Sequence, residues 1–476
     1  MRKILNDMKI LLTNNLQGPG GGEEVLRIAA PLFISQASET VMLFTDRLFL
    51  SKLGPVQMAA TMGGGITSFM FSTFFIGLIG YSTAMVARNL GANRSGKCAL
   101  VTTQSLIISL LAYPVILSCI PLVKFIFLKT VISPEQLKYQ LPYFQILMFG
   151  SISILLRGSI GSFFSGIGKT RIIMIANVAS MICNVGINYM LVFGKLGFPQ
   201  LGIRGAAYGT VISGVIGLLI LCIAYFSKSN VKQYSVMRCF RYSKALMKEL
   251  IAIGYPAGLE FFLNHAGFTL MVTAFHSQGT VVASAITIAF NWDMVSFIPL
   301  TGVGIAVTSL VGRYIGAGDL QSAQRSAFSA LKLALTYSVL LLIPFGFFAE
   351  NMVNLFHPAE VSPGFNQIKE LAEFMVRFIA FYIIADAILA VFSGALRGAG
   401  DTLWTMVISV SMHLMFATMA FLMFFVFGAS ARVTWVVIIS MFMMFGPLIF
   451  LRYRSGHWKR KLVSFVPAED EMVPAK

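Results

Sequence analysis

Five carboxylates stand inside long apolar stretches of this chain: Glu39, Asp46, Glu260, Asp293 and Asp386. A charge at the centre of a bilayer costs roughly 2.5–3.5 kcal/mol on insertion scales, so each acid must face a cavity or a partner. In a dry site such a group takes up a proton; in a wet one it can hold Na⁺ or an organic cation. Either event gives a conformational equilibrium something to couple to. The alternative for each is a structural polar contact. Glu260 lies about 11 residues into its stretch, roughly 16 Å deep at about 1.5 Å per residue. Asp386 is about as central, with Tyr382 one turn away on the same face. Asp46 follows Glu39 by two turns, and for Asp46 a surface pair with the adjacent Arg47 is a competing reading. Asp293 follows Asn291 and Trp292. Asn184 and Asn188, spaced i, i+4, share a face, where binding and plain interhelical hydrogen bonding are both open.

The elements that must position these groups follow from composition. Of 476 residues, 57% are hydrophobic and 12% charged, against about 25% charged in soluble domains, and mean hydropathy is +0.80. That excludes a soluble enzyme, a disordered chain and a secreted disulfide scaffold. The apolar runs are continuous rather than alternating, which excludes a β-barrel. The expectation is an all-α polytopic membrane protein with spans near 27–50, 59–87, 100–122, 141–163, 171–193, 203–226, 249–275, 282–312, 328–349, 372–395, 403–427 and 433–451. A first lobe over 1–226, a basic linker over 227–248, a second lobe over 249–452 and a tail over 453–476 follow. The five cysteines are scattered without CxxC spacing, so neither disulfides nor a metal site is expected.

Net charge is +17. In a soluble protein that would suggest nucleic acid, but here the basic residues read as loop charges against lipid headgroups, with no nucleic-acid partner. With the N-terminus inside, the inner segments hold 26 of the 36 Lys and Arg, which puts both termini in the cytoplasm. No cleavable signal peptide is evident.

The two halves repeat. At an offset of 225, Pro31 answers Pro256, Gly54 answers Gly279, Gly77 answers Gly302 and Arg88 answers Arg313; at 232, Gly166, Gly168 and Thr170 answer Gly398, Gly400 and Thr402. Six helices per repeat is even, so the repeats are parallel, twelve helices in two six-helix lobes, an architecture of secondary transporters. "GIGKT" at Gly166–Thr170 lacks the first glycine of a phosphate loop and reads as a turn between helices. The histidines form no HExxH, and no nucleophile–base pair lies in the spans, so the chain does not read as an enzyme.

The stretches "TDRLFLSKLGPVQMAA", "NVGINYMLVFGKLGFPQLGIRGAAYGT", "IGYPAGLEFFL", "VGRYIGAGD" and "YIIADAILAVFSGALRGAGDT" resemble the multidrug and toxic compound extrusion (MATE) transporters, from about Arg27 to Tyr453. The resemblance implies two lobes around a cleft. It also implies export of amphipathic or cationic small molecules from the cell across the inner (plasma) membrane, by a monomer, against inward H⁺ or Na⁺ and with no cofactor. By position it assigns Asp46, Asn184, Asn188 and Thr210 to a first-lobe cation site, and Asp386 and Tyr382 to the second lobe. Asn188 stands where some members have Asp. In the seventh helix the usual Glu position holds Asn264, with Glu260 one turn earlier, so the second-lobe site is expected either to shift by a turn towards the cytoplasm or to change its ion choice, with Glu260 and Asp386 sharing it; the alternative is a site built around Asp386 and Asp293. Glu39 replaces a more usual neutral residue. A lipid-linked saccharide flippase of the same broader fold is the alternative; it would favour a Lys- and Arg-rich cavity.

Overall fold

A computed structural model describes residues 17–129, 133–356 and 365–459. Among these the chain is helical without strands, as expected where no water is available to satisfy backbone groups. The first half holds α1 (Gly22–Ser51), α2 (Pro55–Gly80), α3 (Ser82–Gly91), α4 (Ser95–Ser118), α5 (Ile120–Lys129), α6 (Pro134–Gly166), α7 (Thr170–Phe193), α8 (Ile203–Tyr225) and α9 (Lys228–Tyr234). The second half holds α10 (Lys244–His276), α11 (Thr280–Gly316), α12 (Leu320–Phe347), α13 (Ala349–Asn354), α14 (Phe365–Gly398), α15 (Thr402–Phe421) and α16 (Ala431–Arg454). The expected second span is thus α2 and α3, broken at Tyr81, and the linker carries helix α9 and a 3₁₀ turn at Val236–Cys239 before α10 starts inside it. Among the described residues, eleven segments are long and apolar enough to cross a bilayer. The twelfth is α10, 33 residues long, whose hydropathy is lowered by Glu260, Asn264 and His265.

Backbone packing divides the chain into two compact units. The N unit runs over Ile34–Phe262; the C unit joins the chain up to Phe33 with the chain from Leu263 onward. The boundaries expected at 226 and 249 are therefore displaced into helices: α1 and α10 each begin in one unit and end in the other. The sequence repeat explains why. Gly77 of α2 lies so close to α10 that a methyl group on it would sit 2.6 Å from the Ala257 carbonyl oxygen, and one on Gly302 of α11 would sit 2.8 Å from the Leu32 carbonyl oxygen of α1. Leu32 and Ala257 are themselves 225 apart, so each half lends the start of its first helix to the other half's second. Small residues allow this approach where lipid supplies no hydrophobic drive between helices. The same reciprocity sets two ion pairs: Arg88 with Glu249 in the N unit, and Arg313 with Glu24, at 3.6 Å, in the C unit. Glu24 and Glu249 are again 225 apart.

Within the units the packing is equivalent helix by helix. In the N unit α6 packs on α2, α4 and α8, and α7 on α8; in the C unit α14 packs on α11, α12 and α16, and α15 on α16. Outward-facing Leu110, Leu111, Ile182 and Ile223 are exposed, as lipid-facing side chains must be. The "GIGKT" segment is the turn between α6 and α7, with Gly168 at φ +76°, matched by Gly400 at +77° between α14 and α15. That left-handed conformation suits glycine.

Candidate functional site

In the N unit, α1 and α7 run side by side in the same direction. Two of their hydrogen-bonded pairs share a spacing of 142 residues: Ser35 with Asn177, and Asp46 with Asn188. The periodicity of α7 puts Asn177, Asn184 and Asn188 on one face at i, i+7 and i+11. Asn188 donates from Nδ2 to the Asp46 carboxylate at 2.5 Å and to Asn184 Oδ1 at 3.2 Å, and Thr210 of α8, whose hydroxyl donates to the Ala206 carbonyl oxygen at 3.0 Å, lies beside the same carboxylate. All four residues assigned from the resemblance are brought together. The Asp46 carboxylate is met by neutral amide and hydroxyl groups, which answers the surface-pair alternative with Arg47. Asn184 and Asn188 are fully buried, and Asn184 Nδ2 and Asn188 Oδ1 find no hydrogen-bond partner among the described residues. Buried amides left half-satisfied are costly in a purely structural role. A methyl group on Gly209 would collide with the Asn188 carbonyl oxygen, so glycine is required where α8 passes the site.

Two turns nearer the start of α1 lies a second polar layer. Asn177 Nδ2 donates to Glu39 Oε1 at 3.0 Å and to Ser35 Oγ at 2.6 Å, while its Oδ1 accepts from Arg157 Nη2 at 2.8 Å. Arg157 belongs to α6, nine residues before its end and so about 14 Å inside the helix. Its charge, counted above with the cytoplasmic side, is intramembrane.

The C unit is built differently. Tyr382 of α14 donates to Asp293 Oδ1 of α11 at 2.6 Å and stacks on Phe442, ring centroids 5.3 Å apart. Asp386, one turn along α14 and buried, repels Asp293 electrostatically. Asn264 donates to Ser409 Oγ at 2.7 Å, and the Ser409 carbonyl oxygen lies 2.9 Å from His413 Nδ1. Asp293, Tyr382 and Asp386 therefore meet as one cluster. Glu260 is buried but lies on the part of α10 that belongs to the N unit. Within the C unit, the acid grouped with Asp386 is Asp293.

Sequence reasoning missed Arg157, Asn177 and Ser409. The first two carried a readable signal: an Arg within an apolar span, and a third Asn on the Asn184–Asn188 face. Ser409 carried none, since hydroxyls are common inside membrane helices.

Two parallel six-helix repeats, with half-buried acids held by amides and a tyrosine at helix packing sites, define a polytopic helical membrane transporter. The MatE family model matches residues 31–190 and again 256–422, two segments whose starts and ends differ by the repeat offsets of 225 and 232. The chain belongs to the MatE family. It is 25% identical over 446 residues, covering 93% of this chain and 94% of the relative, to a protein named probable multidrug resistance protein NorM from Thermotoga maritima. It is 26% identical over 411 residues to the multidrug resistance protein PmpM of Pseudomonas aeruginosa, covering 85% and 84% of the two chains. Its fold matches a MOP superfamily transporter from Pyrococcus furiosus with a TM-score of 0.84 at 20% identity, over 95% and 98% of the chains.

Proposed function

We propose that the protein is a multidrug exporter of the inner (plasma) membrane, working as a monomer with both termini cytoplasmic and exchanging amphipathic cations for H⁺ or Na⁺. The observation that carries this is Asp46: a half-buried carboxylate held by Asn188 and beside Thr210, with half-satisfied amides around it, can accept one cation at a time. When a proton or Na⁺ occupies it, the negative charge is cancelled and an organic cation loses its anchor; when the substrate cation occupies it, the coupling ion is excluded. The Asp293–Tyr382–Asp386 cluster offers a second such position. Two acids at close quarters resist ionising together, and the tyrosine hydroxyl fixes which one accepts the hydrogen bond. Each bound ion shifts the equilibrium between conformations by its difference in affinity for them, which is what alternating access needs. The names of the NorM and PmpM relatives support multidrug export, and the acids support a cationic cargo.

Efflux of a cationic fluorescent dye from inverted membrane vesicles tests this, with pH and Na⁺ gradients imposed separately. One gradient is expected to drive efflux above background. Dye movement indifferent to both, or transport of a lipid-linked saccharide instead, would overturn the reading.

A further inference from the structure

The repeat supplies a comparison within the molecule. Glu39 corresponds to Asn264 at the offset of 225, and Asn177 to Ser409 at 232, and both pairs are hydrogen-bonded. The same polar layer thus occurs in both units, neutral in the C unit and charged in the N unit. Arg157, at the offset of 232, corresponds to Leu389. The basic residue occurs where the acid does, and where the acid is replaced by an amide the base is replaced by an apolar side chain.

Geometry joins the two charges. The Asn177 amide accepts from the guanidinium at 2.8 Å and donates to the carboxylate at 3.0 Å, so its dipole runs from Arg157 to Glu39. The reverse orientation would set donor against donor at one end and acceptor against acceptor at the other. The chain Arg157–Asn177–Glu39 is therefore polarised in one direction, the arrangement in which successive hydrogen bonds strengthen one another. Arg157 also attracts the Glu39 charge directly. The guanidinium lies along the α8 backbone: a methyl group on Gly217 would sit 3.3 Å from Arg157 Nε, and one on Gly214 3.9 Å from Nη1. The two glycines leave room for it.

We propose that Arg157 is the charge partner of Glu39, joined to it through Asn177, so that the exchangeable charge of the α1–α7 site is the single carboxylate Asp46. Arg157 is a positioning residue that sets the charge count of the site; this rests on the reading of Asp46 as the coupling position. Without Arg157, the α1–α7 site presents two acids separated by two turns of α1, about 10 Å. It would then hold a coupling cation too tightly or take two.

The test is the concentration of coupling cation giving half-maximal dye efflux, measured on the full-length protein in vesicles. At about 10 Å and an effective dielectric constant of about 20, one unit charge changes the affinity for a monovalent cation about tenfold. Arg157→Gln is expected to lower the half-maximal concentration about tenfold, and Glu39→Gln to raise it about tenfold. The double variant is expected to return to within about threefold of the parent. A purely structural role would move both single variants in the same direction, and that result, or a double variant no better than the worse single one, overturns the proposal. Should Arg157→Gln fail to accumulate as folded protein, Arg157→Lys keeps the charge and is expected to stay within about threefold; a tenfold change there overturns it equally. Failure of the underlying reading looks different: Asp46→Asn would retain coupled efflux whatever happens at residues 39 and 157.

Discussion

The N unit and the C unit repeat one packing plan but handle the acids within their helices in different ways. In the N unit, Asp46 and Glu39 are separated along α1, each held by an asparagine of α7, and Glu39 is tied to Arg157. In the C unit, Asp293 and Asp386 come from different helices and converge beside Tyr382, while the layer equivalent to Glu39–Asn177 is the neutral pair Asn264–Ser409. Duplication preserved the backbone geometry that brings side chains together and left the charges free to diverge. The α1–α7 site sets Asp46 apart from the Arg157-linked Glu39; the α11–α14 site couples two acids.

The largest effect that would break this comparison is at the isolated acid. Asp46→Asn is expected to reduce gradient-driven dye efflux to vesicle background, while Arg47→Ala retains most of it; equal losses would return Asp46 to the status of a surface pair. Asp386→Asn should be milder than Asp46→Asn, because Asp293 remains beside Tyr382 to accept a cation. Efflux assays on the two variants side by side decide the order.

Next in size is the close packing that both units share. Gly77→Ala and Gly302→Ala each drive a methyl group into a backbone carbonyl of the borrowed helix segment. Overpacking of this kind typically costs about 1–3 kcal/mol, and similar losses of thermal stability in detergent are expected for the two. If one tolerates alanine freely, the reciprocal exchange of α1 and α10 is not equivalent in the two halves.

Tyr382→Phe sharpens the C-unit account. It keeps the ring against Phe442 and removes one hydrogen bond to a carboxylate, worth about 1.5–3 kcal/mol. Efflux is expected to fall about tenfold or more with folded protein unchanged. Parent-like efflux would show that the hydroxyl does not order the two acids.

The smallest effect concerns a loop outside the membrane. Asp319 caps α12, accepting from the Ser322 backbone N–H at 2.9 Å, and the Ser322 hydroxyl and N–H hold its carboxyl below the usual carboxylate range. A depressed value means that the stabilisation is present above the unfolded-state value and is lost as pH falls through the folded one. Asp319→Ala should cost about 1 kcal/mol near neutral pH, and the difference from the parent in thermal melting should vanish in strong acid.

Much of this was legible in the sequence, for identifiable reasons. Hydropathy gives the spans because backbone groups in lipid leave few alternatives to helix, and the repeat could be read from Gly77/Gly302 and Arg88/Arg313 because close packing and ion pairing restrict those positions. The Asp46–Asn184–Asn188–Thr210 cluster was legible from i, i+4 spacing together with family resemblance. Two things were hidden. The first is the exchange of helix beginnings between units: the linker looks like a boundary, but Gly77 and Gly302 show contact only once their partners are known. The second is the grouping of acids. Depth along a helix placed Glu260 level with Asp386, but depth carries no information about which helix a face meets, and the Tyr382–Asp293 hydrogen bond joins two helices that depth alone does not pair.

The central claim is that a carboxylate alternately holds the coupling ion and the cationic substrate. The most direct measurement is the release of H⁺ or Na⁺ from purified protein in detergent when a cationic substrate is added without any gradient. Substrate addition is expected to release one of the two ions, and Asp46→Asn to release less of it. Substrate binding with no ion released by the parent protein would contradict the account.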